Sequence, residues 1–339
     1  MRNPAVTLND VAREAGVSLA TASRVLNGSA RRVADVYRER VQFAANRLGY
    51  TANLSAQATA RGTAAIVALL VSDIADPYFG QIAAGVAKAA DDAGLVVTIA
   101  VTDRSTAREA RHLHALRGQR PRGLILASTR TTAAAASPEL ETELAALAGL
   151  GTRVVAVGRG DPGLRTVPVD NRAGTRALGT ALAERGYRRA ILLAASAGLI
   201  SSDDRVDGFT EGFGDGGGQV LRIHRSAYTR EAGVEAMAEA LAAGVVPGTL
   251  VFAASDIVAI GAMSAIRAAG RSVGDDIALA GFDDIATSRD VTPALTTVRV
   301  PLEEIGQLAL RAVTDEDWRP PSVPPGFEVL LRESTPRLS

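Results

Sequence analysis

The residues best suited to do chemistry fall into two groups, and both suit recognition rather than catalysis. The first is the run Ser-Leu-Ala-Thr-Ala-Ser-Arg-Val-Leu-Asn-Gly at residues 18–28. Ser18, Thr21, Ser23 and Asn27 carry hydroxyl and amide groups that can bond phosphate oxygens. Arg24 carries a planar fork that can meet guanine O6 and N7 at two points, a pair worth about 1–3 kcal/mol of discrimination. The second group is dispersed: Phe79, Arg159, Arg205, Tyr228 and Asp256 each follow a short apolar run. Asp and Arg offer fixed planar groups that match adjacent hydroxyls, and aromatic rings stack on sugar faces. The chemistry expected there is the binding of a sugar or sugar derivative. Taken singly, each Asp or Arg also fits a surface ion pair or a helix cap, and Asp256 is the clearest such case.

Other chemistries find little support. The chain has no cysteine, which excludes disulfides and thiolate metal sites. His112 and His114 are two apart on an expected helix, so they face different ways, and His224 is isolated. Residues 212–217 read GFGDGG, a formal GxGxxG, but they follow a helix and precede a strand, the reverse of the dinucleotide order. They are expected to form a flexible loop. No nucleophile–base arrangement emerges. The expectation is no catalytic residue, no metal, no cofactor and no enzyme.

The first group sits among strong helix signals. Thr7 and Asp10 form a capping-box variant, and Leu8, Val11, Ala12 and Ala15 share one helix face. Gly16 allows a tight turn, and Ser18 can cap a second helix with Ala22, Val25 and Leu26 inward. A third helix follows, with Tyr37, Val41, Ala44 and Leu48 on its stripe and Gly49 as its stop. Two short helices joined at a glycine turn, with a third behind them, make a helix-turn-helix headpiece whose second helix enters the DNA major groove. Charge agrees. Residues 1–62 hold nine Arg and four acids, a net +5, while the whole chain is neutral. A solvated three-helix bundle remains the plainer alternative.

The second group sits in a different pattern. Apolar runs at 66–71, 95–101, 123–127, 154–157, 190–193, 220–224, 250–253 and 277–280 alternate with amphipathic helices. This predicts parallel sheets covered on both faces, in two doubly wound α/β lobes. Ligands bind such sheets at the carboxyl ends of the strands, so facing lobes make a cleft. The start has no apolar secretory core and no apolar run reaches membrane length, so the protein is expected in the cytoplasm with no membrane partner.

The run TLNDVAREAGVSLATASRVLNG at residues 7–28 resembles the N-terminal motif of the LacI/GalR family of bacterial transcription regulators. The likeness continues through LGY at 48–50 and RGTAAIVALLVSDIADPYF to LLREST near the end. It implies a helix-turn-helix headpiece on a core like that of periplasmic binding proteins. It places Leu19 and Ala20 where the family selects operator bases, and Arg24 at its base-reading arginine. It places Thr7, Ser18, Thr21, Ser23, Asn27 and Tyr50 at phosphate contacts. Arg31 and Arg32 lie in a stretch one residue longer than in some members and are expected to add backbone contacts, as is Asn53 in the hinge. It puts Phe79, Arg159, Arg205, Tyr228 and Asp256 at effector positions, with Ser201 beside Arg205. Three departures stand out. Gly158 occupies a position that is acidic in many members, Ala52 replaces the hinge proline, and Thr59 stands where a leucine wedges into the minor groove.

The expected organisation is a headpiece over 1–50, a hinge over 51–63 and a core over 64–339. Lobe one is expected over about 64–164 and 294–324, and lobe two over about 165–293 and 325–339. The expected function is a repressor that binds double-stranded operator DNA as a homodimer under the control of a small-molecule effector. A free-standing sugar-binding protein is the competing reading.

Overall fold

The computed structural model describes residues 6–27, 33–50, 64–127, 132, 137–159, 163–321 and 323–338. The chain divides into two units, Met1–Ala65 and Ile66–Ser339. The expectations for Arg31, Arg32, Ala52, Asn53, Thr59 and the hinge lie outside the described residues.

The first unit holds α1 (Leu8–Ala15), α2 (Leu19–Asn27) and α3 (Asp35–Leu48). Thr7 and Asp10 close the reciprocal capping box, and Gly16 leaves α1 in the left-handed conformation at φ 64°. Val11, Ala12, Ala15, Ala22, Val41, Ala44 and Ala45 form its small core. Tyr37 departs from its expected place on the inner stripe. It is 46% exposed, because α3 turns the 41, 44 and 45 positions inward instead.

The second unit is built on two sheets. The first contains β1 (Ala64–Val71), β2 (Val96–Val101), β3 (Pro121–Leu126), β4 (Arg153–Val157) and β5 (Arg165–Val167), in the order β2-β1-β3-β4-β5. The second contains β6 (Arg189–Ala195), β7 (Gln219–Ser226), β8 (Leu250–Ala253) and β9 (Ala278–Ala280), in the order β7-β6-β8-β9. The second sheet's pairings are all parallel. β6, β8 and β9 are almost wholly apolar and buried, as cover on both faces demands, while the edge strand β7 is largely polar and exposed. An antiparallel pair, β10 (Thr297–Arg299) and β11 (Glu328–Leu330), attaches to this sheet through bridges at Ala280–Thr296 and Asp283–Arg299.

The helices are α4 (Pro77–Asp92), α5 (Thr106–Arg117), α6 (Pro138–Gly149), α7 (Asn171–Glu184), α8 (Ile200–Asp215), α9 (Arg230–Ala242), α10 (Asp256–Ala268), α11 (Thr287–Asp290) and α12 (Leu302–Thr314). α12 returns to the first lobe, where it packs on α4 and on β3, β4 and β5. β5, at Arg165–Val167, pairs with β4 in the first sheet, and Thr296 and Arg299 bridge to Ala280 and Asp283 beside the second.

Three helix pairs meet backbone to backbone. α7 and α8 touch at Gly179, Gly208 and Gly212, α9 and α10 at Gly233 and Gly261, and α4 and α12 at Gly85 and Gly306. A Cβ at Gly212 would lie 2.0 Å from the Arg176 carbonyl oxygen. Gly212 is thus part of α8 and of a tight helix crossing, not of the flexible loop expected from GFGDGG. Gly212→Ala should cost about 3 kcal/mol, at the upper end of overpacking penalties. Gly214, with no atom within 4 Å of a Cβ, is its control: Gly214→Ala should be neutral or stabilise by up to about 1 kcal/mol. Urea midpoints of the two variants check this.

Candidate functional site

The headpiece presents one face of α2. Ser18, Leu19, Ala20 and Arg24 are exposed, Thr21 and Ser23 are half-buried, and Ala22 faces the core. Ser18 Oγ accepts the Thr21 amide at 3.1 Å, so Ser18 caps the helix that carries the face. Arg24 has no ion-pair partner among the described residues and extends from the last turn of α2. Thr7 is exposed, but its hydroxyl already donates to Asp10 Oδ2 at 2.6 Å. That bond and its backbone companion hold the Asp10 carboxyl below its ordinary range. Tyr50 is half-buried against the headpiece core.

In the second unit, a cleft opens at the carboxyl ends of both sheets, with about 640 Å³ of space counting its mouth. Asp76, Tyr78 and Phe79 reach it from the β1–α4 turn, Arg104 from the end of β2, and Gly158 and Arg159 from the end of β4. Facing them are Asn171 at the start of α7, Ser201, Asp204 and Arg205 in α8, Tyr228 after β7, Ser255 after β8 and Asp283 after β9. Five expected residues therefore come together: Phe79, Arg159, Ser201, Arg205 and Tyr228.

Arg205 is the centre of the floor. It is 3% exposed and makes a two-point pair with Asp283, Nη2 to Oδ1 at 2.8 Å and Nη1 to Oδ2 at 3.3 Å. Its Nε donates to Asn171 Oδ1 at 2.8 Å, and Nη1 also donates to the Ala254 carbonyl at 2.7 Å. The guanidinium lies 4.1 Å from the centre of the Phe282 ring. Burial raises the Asp283 pKa and Arg205 opposes that rise; the two-point geometry is that of an ion pair. Arg205 has only one N–H left over, so its main task is to fix the Asp283 carboxylate at the cleft.

Arg104 binds from the opposite lobe. It and Asp103 are consecutive left-handed residues, at φ 53° and 54°. This turn brings Arg104 Nη2 within 3.3 Å of the Tyr228 carbonyl and its guanidinium carbon 5.9 Å from the Tyr228 ring centre. Arg159 is exposed and reaches Asp204 at 3.8 Å.

Comparison with known proteins bears on both sites. Residues 7–53 match bacterial regulatory proteins of the lacI family, and residues 180–335 match a periplasmic binding protein-like domain. The ribose operon repressor of Halalkalibacterium halodurans is 30% identical over 334 residues, 97% of each chain. The chain belongs to the LacI family. A solved lac repressor dimer bound to operator and the anti-inducer ONPF superposes with a TM-score of 0.83 at 26% identity, covering 98% of this chain and 99% of that one. A complex of the transcriptional regulator CelR with cellobiose gives a TM-score of 0.68 at 30% identity, covering 97% and 99%. This LacI-family chain is a DNA-binding transcription regulator with a periplasmic-binding-protein-like core.

Within this LacI-family core, Asp256 is not among the residues lining the cleft. It is fully buried and joins three segments: its amide donates to the Phe282 carbonyl at 2.8 Å, Oδ1 accepts the Thr297 hydroxyl at 2.6 Å, and Oδ2 accepts the Ile285 amide at 3.0 Å. Burial pushes its carboxyl up to about 7, against those two bonds. Its neighbour Ser255 takes the cleft position. Ser255 begins α10 without capping it, and its Oγ is buried without a partner.

Asp283 and Asp284 explain each other. Both are left-handed, at φ 116° and 53°, so adjacent carboxylates look different ways. Asp283 meets Arg205, while Asp284 accepts from Arg332 at 2.6 Å, Arg299 at 2.8 Å, Arg289 at 3.1 Å and Ser288 at 3.0 Å. Sequence reasoning did not place Asp76, Tyr78, Arg104, Asn171, Asp204, Ser255 or Asp283 in the cleft. All but Asn171 and Asp204 follow a strand's end, the signal that had picked out the others.

Proposed function

We propose that this protein is a homodimeric repressor whose hold on operator DNA is set by a sugar bound in the interlobe cleft. The observation that carries this reading is the joint presence, on one chain, of an exposed α2 face and a cleft floored by the Arg205–Asp283 pair. The solved relative described as a dimer on operator supports the dimeric, DNA-bound state. The ribose operon repressor and the CelR–cellobiose complex support a sugar effector.

Arg24 reads a base edge. Leu19 and Ala20 make apolar contacts, and Thr7, Ser18, Thr21, Ser23, Asn27 and Tyr50 bond the backbone, joined by Arg31, Arg32 and Asn53. Phe79, Arg159, Ser201, Arg205 and Tyr228, with Asp283 and Ser255, hold the effector. The headpiece runs over 1–50, the hinge over 51–63 and the core from 64. The protein acts in the cytoplasm, catalyses no reaction and needs no metal.

The test is DNA binding followed by fluorescence anisotropy with and without sugars. An operator complex that strengthens or weakens when a sugar is added supports the reading; DNA binding indifferent to every sugar removes it. Arg24→Ala should lose about 10- to 100-fold on operator and under about threefold on unrelated DNA at the same salt. Equal losses on the two DNAs would reject base reading by Arg24.

A further inference from the structure

Among the described residues, three arginines and three acids line the cleft. Arg205 is paired with Asp283 at 2.8 Å and Arg159 with Asp204 at 3.8 Å. The third acid, Asp76, lies within the field of Arg104, which opposes the rise that burial gives its pKa. Three arginines thus balance three carboxylates, and no Lys or His lines the cleft among the described residues. Gly158 adds no fourth acid. Its φ is +96°, and no atom lies within 4 Å of where a Cβ would stand. Burial raises the Tyr78 and Tyr228 pKa values, so both phenols stay neutral.

Two polar atoms stand outside this balance. Ser255 Oγ, in a residue 4% exposed, and Arg104 Nε are both buried without a hydrogen-bond partner among the described residues. A serine hydroxyl can give one bond and accept others, and Nε–H can give one. Each calls for a single oxygen, such as a sugar hydroxyl or ring oxygen. Neither makes a two-point anion clamp, and the fork of the buried Arg205 is already held by Asp283.

We propose that the cleft selects an uncharged polyhydroxy compound and rejects its phosphorylated and carboxylate forms. This rests on the sugar-effector reading above. An anion entering a charge-balanced, partly enclosed site must remain uncompensated or draw an arginine away from its carboxylate. A neutral polyol can meet Ser255 Oγ and Arg104 Nε with no such loss, its ring against Tyr78, Phe79 and Tyr228.

The test is calorimetric titration of the full-length protein with ribose and ribose 5-phosphate, galactose and galacturonate, glucose and glucose 6-phosphate, and cellobiose. At least one neutral sugar should bind, and at least about 100-fold more tightly than its charged counterpart. A charged form that binds as tightly as its parent, or more tightly, overturns the proposal and leaves the sugar reading standing. No binding by any of them overturns the sugar reading and the proposal with it. Asp204→Asn, which leaves Arg159 unbalanced, should shrink the preference by about tenfold. An unchanged preference would overturn charge balance as its cause.

Discussion

Arg205→Ala should abolish the response to effector and lower core stability by about 3–5 kcal/mol, the range for breaking one side of a buried ion pair. The substitution leaves the Asp283 carboxylate, 3% exposed, without its counter-charge, strands Asn171 Oδ1, and leaves the Ala254 carbonyl with the Tyr228 hydroxyl alone. It also removes the plane stacked on Phe282. The double substitution Arg205→Met with Asp283→Leu separates the two effects. Removing both charges should recover much of the stability but none of the effector response. Melting curves of the core, and anisotropy titrations of operator with sugar, give the two readouts. Loss of stability without loss of response would remove Arg205 and Asp283 from the effector site.

The second large effect concerns Asp256. Asp256→Ala should cost about 2–4 kcal/mol, because the Ile285 amide and Thr297 hydroxyl lose their acceptor in a fully buried place. Its ionisation also makes stability depend on pH. The folded carboxyl titrates at about 7 against an ordinary 3.8, so the native state holds the proton more tightly than the unfolded chain. Between those two values the unfolded chain binds fewer protons, and stability falls as pH rises, by on the order of 4 kcal/mol in all. The contribution is constant below pH 4 and above pH 7. Asp284, which pushes the value up, and Arg332, which pulls it down, are the charges facing it. Asp256→Asn removes this dependence. Its stability relative to the parent should rise steadily from pH 4 to pH 7 in urea titrations and level off above that. A constant difference would show that Asp256 does not titrate in that window.

Much of this architecture could be read in advance, for identifiable reasons. The eight apolar runs became strands: the inner ones are covered on both faces, which admits little else, and the edge strands β2 and β7 still alternate enough apolar residues to be seen. β5, β10 and β11 were missed. Each is three residues long and begins or ends with a charged residue, so pairing alone defines them. Asp256 was expected in the cleft from its place after β8, but the turn there aims Ser255 inward and buries Asp256 behind it. One residue of register separates the two, and no periodicity reports it. Asp283 lies in the run GFDDI at 281–285, which as a sequence suits a turn as well as a cleft. Its role comes from two successive left-handed residues, a backbone state that side-chain identity does not announce. Arg205 lines the cleft, but composition does not say that an arginine there will be a packed structural member rather than a free hand.

The glycine contacts between helix pairs bear on how a ligand's arrival could be felt at a distance. Where two backbones touch at Gly179, Gly208 and Gly212, or at Gly85 and Gly306, there are no long side chains to lean or re-seat. A helix pair joined that way has almost no gearing: it can tilt as a block, but it cannot slip by one ridge of side chains. Each lobe should therefore behave as a stiff plate. Displacement must be absorbed in the strands of chain that cross between the plates, at 168–170, 300–301 and 315–327. Those crossings, rather than the helices, are where substitutions should loosen or lock the coupling between effector and DNA.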